Sequence, residues 1–170
     1  MTLKSSKKVN AMENTDHIQD TSSSIQYVTF DLGGEEYGIP ILKLNEIIAY
    51  QKPTSIPKVP SFIKGVLNMR ELVVPIIDLR KRFCMEDKEK DHMTVIMILE
   101  VSGRIMGMIV DSVNDVIILN KDDIRDRPIF STGIDTNFIK GMGVRDDNFI
   151  ILLDIDRLFS DEELNVVDGV

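Results

Sequence analysis

The side chains able to do chemistry in this 170-residue chain are few and scattered: two histidines and one cysteine. His17 lies in a Ser/Thr/Asp-rich stretch and His92 follows the charged run Glu86-Asp87-Lys88-Glu89-Lys90-Asp91, so both read as solvated side chains. Cys84 has no partner for an internal disulfide, and with two distant histidines it cannot complete a zinc site of about four ligands. It reads instead as a small buried apolar residue closing a short helix. No G-x-S-x-G elbow, phosphate-binding G-x-x-x-x-G-K-[ST] loop or G-x-G-x-x-G turn occurs. Gly103-x-x-x-Gly107 and Gly141-x-Gly143 read as strand and turn glycines. Among 28 carboxylates some will be close by chance, so proximity alone makes no acid/base pair. The sequence therefore points away from an enzyme and from any cofactor or metal.

A net charge of −8 and a pI near 4.8 argue against a nucleic-acid partner, which requires a basic face. No apolar run approaches the roughly 18 residues of a membrane span, and no signal-peptide core follows Met1. The expectation is a cytoplasmic protein without membrane insertion, to which a single cysteine is suited. What remains is recognition of other proteins, for which a hairpin-tip arginine able to grip a carboxylate is well suited. Arg70 is that candidate.

The elements that would position it are strands. Residues 1–24 are polar, aperiodic and read as a flexible tail. From Ile25 the pattern alternates with period two between glycine-bearing turns, with Val28, Phe30 and Leu32 on one face. Leu44–Tyr50 reads as a third strand, and Pro53, Pro57 and Pro60 make 51–61 a loop. Val66–Met69 and Leu72–Ile77 form a hairpin around Arg70-Glu71, and Asp78 reads as the N-cap of a helix over Leu79–Phe83. The linker 85–92 is almost wholly charged, and 164–170 reads as a C-terminal tail.

The second half repeats this plan. A shift of 69 overlays 25–48 on 94–117 without a gap, matching Gly34 with Gly103, Gly38 with Gly107, Asn45 with Asn114 and Glu46 with Asp115. A shift of 76 overlays 62–83 on 138–159, where Phe62-Ile63-Lys64-Gly65 returns as Phe138-Ile139-Lys140-Gly141 and Asp78 matches Asp154. Short twisted strands leave edges unless the sheet closes, so each unit is expected to form a small barrel. The sequence thus predicts a mostly β domain over 25–163. Its two five-stranded units, about 25–84 and 93–160, would share strands and pack about a pseudo-twofold axis.

Several runs together resemble one family. They are Glu35-Glu36-Tyr37-Gly38-Ile39, Ile41-Leu42-Lys43-Leu44-Asn45-Glu46-Ile47, and Phe62 through Arg70 followed by Val73-Val74-Pro75-Ile76-Ile77-Asp78-Leu79-Arg80. Met106–Val116 and Ile150–Ile155 continue the likeness, which covers about 25–160. They resemble CheW, the bacterial chemotaxis coupling family, and the N-x-R-x-x-V-x-P-x-x-D-L-R run carries most of the weight. The resemblance implies two SH3-like barrels and a non-enzymatic adaptor, monomeric when free. It would join the cytoplasmic tips of methyl-accepting chemoreceptors to the regulatory domain of the histidine kinase CheA, within receptor arrays at the inner face of the membrane. A coupling protein of a related CheA-like pathway, driving surface motility or another output, would share these motifs. One position departs: the family has Gly after the motif Arg, where this chain has Glu71. Either the turn is of another type or the surface near Arg70 is altered.

Duplication acts as an internal control. Lys64 and Lys140 recur, as do Asp78 and Asp154, which favours structural roles, the aspartates as helix caps. Arg70 faces Asp146 and Asn68 faces Val144, so scaffold need does not explain them. Glu46 and Asp115 are both acidic, consistent with an intramolecular pair, and the resemblance lifts Glu46 into the binding set. Ile41, Leu44 and Val113 either line an apolar groove or fill the core, and composition alone favours the core. With Lys64 they complete the candidate receptor- and kinase-binding residues: Arg70, Glu46, Asn68, Leu44, Ile41, Val113 and Lys64.

Overall fold

A computed structural model of the chain describes residues 24–126 and 136–169. The expected N-terminal tail and His17 lie outside the described residues. β1 (Ile25–Leu32) and β2 (Glu35–Pro40) form a hairpin whose turn, Gly33-Gly34, takes φ 60° and 85°. A short 3₁₀ turn, Ile41–Lys43, leads into β3 (Leu44–Ala49), and β4 (Ile63–Met69) pairs with β5 (Leu72–Asp78). After α1 (Leu79–Arg82) come β6 (Val95–Val101), β7 (Arg104–Val110), β8 (Ser112–Leu119) and the two-residue β9 (Ile124–Arg125). β10 (Ile139–Arg145), β11 (Asn148–Leu153) and α2 (Asp161–Asp168) complete the chain.

The strands make two sheets, ordered β8-β1-β2-β11-β10-β9 and β3-β6-β7-β5-β4. Replacing each strand by its repeat mate converts the five-stranded order into the first five strands of the other. The duplication is therefore present in three dimensions, but neither sheet is one contiguous repeat. The β1–β2 hairpin of the first copy completes the sheet of the second, and β6–β7 of the second completes that of the first. Registers agree as well: Tyr27 lies opposite Ile117 as Ile96 lies opposite Ile48. Both parallel junctions bring a glycine, Gly38 or Gly107, beside Leu152 or Ile76. A Cβ at Gly107 would stand 2.6 Å from Ile76 Cδ1, so the close approach of β7 and β5 requires the glycine.

Strand exchange buries both faces of the central strands. Val28, Phe30, Leu32, Tyr37, Ile77, Met97 and Leu99 belong to a core shared between the sheets. Tyr27, Ile117, Leu119, Ile150 and Leu152 fill the inside of one sheet, and Val74, Ile76, Ile96, Ile98 and Ile109 the inside of the other. Each sheet thus curls around its own core while its outer wall packs on its neighbour, the arrangement of two barrels side by side.

Asp111, between β7 and β8, ties the two together. Its carboxylate accepts both Arg80 Nε (2.8 Å) and Nη2 (2.6 Å), and the Gly33 N–H at 3.0 Å. The pair is largely buried. Burial opposes the charge on Asp111, yet the Arg80 hydrogen bonds and the Gly33 N–H hold its carboxyl below the ordinary aspartate range. The second copy inverts the polarity. Asp156, the repeat mate of Arg80, accepts the Ser102 N–H at 2.8 Å and pairs with Lys43 at 3.2 Å.

Three sequence expectations are corrected. Cys84 is exposed, at φ 57° immediately after the C-cap of α1, which turns its side chain outward while Phe83 takes the buried place. The segment 164–170 is no tail as far as Asp168: α2 starts at a Ser160/Glu163 capping box and buries Leu164 and Val167. Asp78 caps α1 through the Arg80 N–H, but Asp154 makes no side-chain cap and pairs with Arg157 at 3.5 Å. Its repeat of the helix is a single 3₁₀ turn, Ile155–Arg157. Among the described residues, no helix is long and apolar enough to cross a membrane.

Candidate functional site

The β4–β5 hairpin closes between Met69 and Leu72, leaving Arg70 and Glu71 as a two-residue loop at φ 51° and 69°. Two successive positive φ angles are what a right-twisted hairpin demands of a type I′ turn, and glycine meets that demand without strain. Glu71 has therefore not changed the turn type. It occupies a left-handed position that a side chain tolerates only at a cost.

Glu46 comes from β3, at the opposite end of the same sheet. The β3–β6 register shifts between Leu44 and Glu46, a bulge that gives Asn45 no ladder partner. Glu46 Oε2 stands 3.6 Å from Arg70 Nη2. Arg70 is 87% exposed at its side chain and Glu46 35%, so the pair lies at the surface with the guanidinium outermost. It also joins the two terminal strands of the sheet order, β3 and β4, and so marks where the sheet closes on itself.

The other copy carries a counterpart that residue-by-residue overlay hides. Asp146 and Asp147 form its two-residue turn, at φ 51° and 65°, and Arg145 precedes them. Arg145 Nη1 lies 3.8 Å from Asp115 Oδ2, and the β1–β8 register shift gives Asn114 the bulge position of Asn45. The intramolecular pairing expected for the acidic mates Glu46 and Asp115 is present in both copies, each with an arginine. The arginine has moved one residue along the hairpin, which the 76-residue overlay aligned with Met69.

The hollows beside these tips differ in chemistry. The one at Arg70, about 390 Å³, is lined by Met69, Leu72, Val74, Ile98 and Ile105 around Glu46. The one at Arg145, about 380 Å³, has Thr29, Glu36 and Asn148 where the first has Ile98, Ile105 and Leu72. The first therefore offers a mainly apolar floor under an Arg–Glu rim, and the second a more polar one in which Ile117 and Ile150 lie among polar side chains.

The remaining candidates divide. Asn68 is exposed on β4 opposite Val73, close to the Arg70 tip. Leu44 and Val113, repeat mates, are half-buried and pack against the shared core, and Ile41 is half-buried in the 3₁₀ turn before β3. Lys64 is at the far end of β4, about 20 Å of strand from Arg70, and does not belong to the tip. Exposed apolar residues were missed: Leu72 (50%), Val73 (55%) and Phe149 (60%). Their sequence signal was available, since Val73 and Phe149 are repeat mates two residues beyond each turn.

Residues 26–163 match the family model described as CheW-like domain. The chain is 43% identical over 145 residues to the chemotaxis protein CheW of Klebsiella aerogenes, an alignment covering 85% of this chain and 87% of that protein. The chemotaxis protein CheW of Treponema pallidum is 36% identical, with 82% and 84% covered. Among solved structures, the scaffolding protein TtCheW from Thermoanaerobacter tengcongensis superimposes with a TM-score of 0.76 at 36% identity, covering 82% of this chain and 94% of that one. The family model and the likeness to relatives over most of the length lead to one assignment: the chain belongs to the CheW-like family.

Proposed function

We propose that this protein is a chemotaxis coupling adaptor that holds receptor tips and the regulatory domain of the kinase CheA in one assembly, so that receptor state controls kinase activity. The observation that carries the reading is the Arg70 tip. A guanidinium 87% exposed and only loosely held by Glu46 sits above an apolar hollow, the composition of a protein-recognition hot spot. The hairpin already fixes the backbone that presents it, so only the side chain is ordered on binding. As an adaptor the protein carries out no catalytic step of its own. It acts in the cytoplasm, beside the inner face of the membrane where receptor tips gather.

The test is reconstitution. Purified kinase and receptor cytoplasmic fragments are mixed with increasing amounts of this protein, and kinase autophosphorylation is followed. Receptor-dependent activity should rise with added protein and saturate near stoichiometric amounts. Kinase activity indifferent to receptor at every concentration would overturn the proposal.

A further inference from the structure

A third hollow lies away from both hairpin tips. It is a cleft of about 630 Å³ between the proline-bearing loop 51–61 and the charged segment 85–92. One wall is rigid. Three prolines stiffen the loop, and Thr54 bridges Val66 through two backbone hydrogen bonds of 2.9 Å. Gly65 permits that contact, since a Cβ there would stand 2.0 Å from the Thr54 carbonyl oxygen.

The other wall is a strap fastened at its ends. Arg80 Nη1 donates to the Glu86 carbonyl at 2.8 Å, and Asp91 accepts the N–H groups of Met93 and Thr94. Between those points it has no regular structure: Lys90 reaches in to Asp78 and over the Tyr50 ring, and the rest is held by exposed ion pairs, Lys81–Asp87 at 3.0 Å and Lys88–Asp91 at 3.7 Å. Such pairs are individually weak.

Charge inside the cleft runs against that of the protein. In a chain of net charge −8, this hollow is lined by Lys52, Lys64, Lys88 and Lys90 against Asp78, Asp87 and Glu89, a small local excess of positive charge. Asp78 forms part of its floor, 2% exposed, with Lys90 Nζ 3.9 Å from its Oδ2. Asp87 reaches back from the strap to Lys81. That hydrogen bond, opposed by desolvation and supported by the charges of Lys81, Lys64 and Lys90, holds its carboxyl below the ordinary range. One exposed carboxylate of the chain thus occupies a lysine-surrounded position beside the apolar residues Tyr50, Ile56 and Val59. In the second copy the mate of Asp78, Asp154, is 34% exposed and paired with Arg157, and the chain continues into α2.

We propose that this cleft binds an acidic peptide segment of a partner protein, whose carboxylate displaces Asp87 from Lys64, Lys81 and Lys90 while a neighbouring apolar side chain packs against Ile56 and Val59. The site is separate from the Arg70 tip and gives Lys64 its role. Asp87 is the internal competitor, and the strap moves aside when the peptide enters.

The experiment measures anisotropy of a fluorescein-labelled peptide of alternating glutamate and isoleucine with the full chain, its glutamine counterpart serving as control. Asp87→Asn should tighten binding about threefold, the scale of releasing one exposed ion pair. Lys52→Glu combined with Lys64→Glu, both on exposed positions, should weaken it at least about tenfold. Lys121→Glu with Lys140→Glu changes the net charge equally and should leave binding unchanged. Amide shifts on titration should fall within 50–64 and 78–91. Equal binding of the glutamine peptide, equal loss in the two lysine pairs, no gain from Asp87→Asn, or shifts centred on 68–73 would each overturn the proposal. No kinase or receptor is present, so the result is independent of the coupling reading.

Discussion

Replacing Arg70 by alanine separates recognition from folding more cleanly than any other change on this surface. The side chain is 87% exposed, and its ion pair to Glu46, at 3.6 Å, lies at the surface. Pairs of that kind contribute about 0–0.5 kcal/mol, and alanine keeps the same left-handed backbone strain, so stability should change by no more than about 0.5 kcal/mol. For a domain of this size that is a melting shift of about 2 °C or less. An arginine hot spot desolvated by a partner is worth on the order of 2 kcal/mol, or roughly thirtyfold in affinity. Calorimetry on the free variant, then receptor-fragment binding and receptor-dependent kinase activity, should show near-native melting and a lost or greatly weakened coupling. Asp146→Ala, at the equivalent turn position, should be near neutral in all three. The reasoning fails if the two variants behave alike in the functional assays. It also fails if Arg70→Ala melts well below the parent, since a folding defect would then explain the loss.

Three further outcomes follow from the geometry. Glu71→Gly should raise stability by up to about 1 kcal/mol in denaturant unfolding, because it removes a side chain from φ 69° in a turn that keeps its type. Asp111→Asn should cost about 2 kcal/mol at neutral pH by leaving Arg80 without its anion. The folded carboxyl titrates below the ordinary 3.8, so its contribution is present above that value and vanishes as pH falls through the lower folded one; the wild-type advantage should close in acid. Tyr37→Phe should be neutral or stabilising by up to about 1 kcal/mol, as its buried hydroxyl has no hydrogen-bond partner among the described residues and burial, with Glu35, pushes its pKa to about 12.

How much of this was legible in the sequence depended on whether the signal was local. The β4–β5 hairpin, the Asp78 cap and the internal repeat could all be read because alternation, capping and register act over a few residues. Strand exchange could not be read in detail, because β1–β2 pairs with strands more than 70 residues away and both partners carry similar patterns. Cys84 misled because cysteine is usually buried, while the backbone turn after α1 decided its direction. Asp154 misled for the opposite reason: it copies Asp78 in sequence but not the helix that follows. The second arginine was missed because overlay compares like positions, and the hairpin presents residues 145 and 146 to nearly the same place.

These differences between the copies bear on how a duplicated fold becomes an adaptor. Strand exchange forces the halves to remain one cooperative body, since neither sheet is complete without strands from both repeats. A force applied at one tip is therefore transmitted through a shared core rather than a linker, and the Arg80–Asp111 pair sits where the chain crosses between sheets. The scaffold positions are conservative between copies: glycines at the parallel junctions, bulges at Asn45 and Asn114, phenylalanines at 62 and 138. The surface positions are not. Ile98, Ile105 and Leu72 become Thr29, Glu36 and Asn148, so one hollow favours an apolar side chain and its mate a polar one. The two tips therefore stand on one frame with unlike floors. A symmetric pair would offer the same chemistry at both ends; here the more apolar floor lies beside Arg70 alone, which is why Arg70→Ala and Asp146→Ala are expected to part in the functional assays.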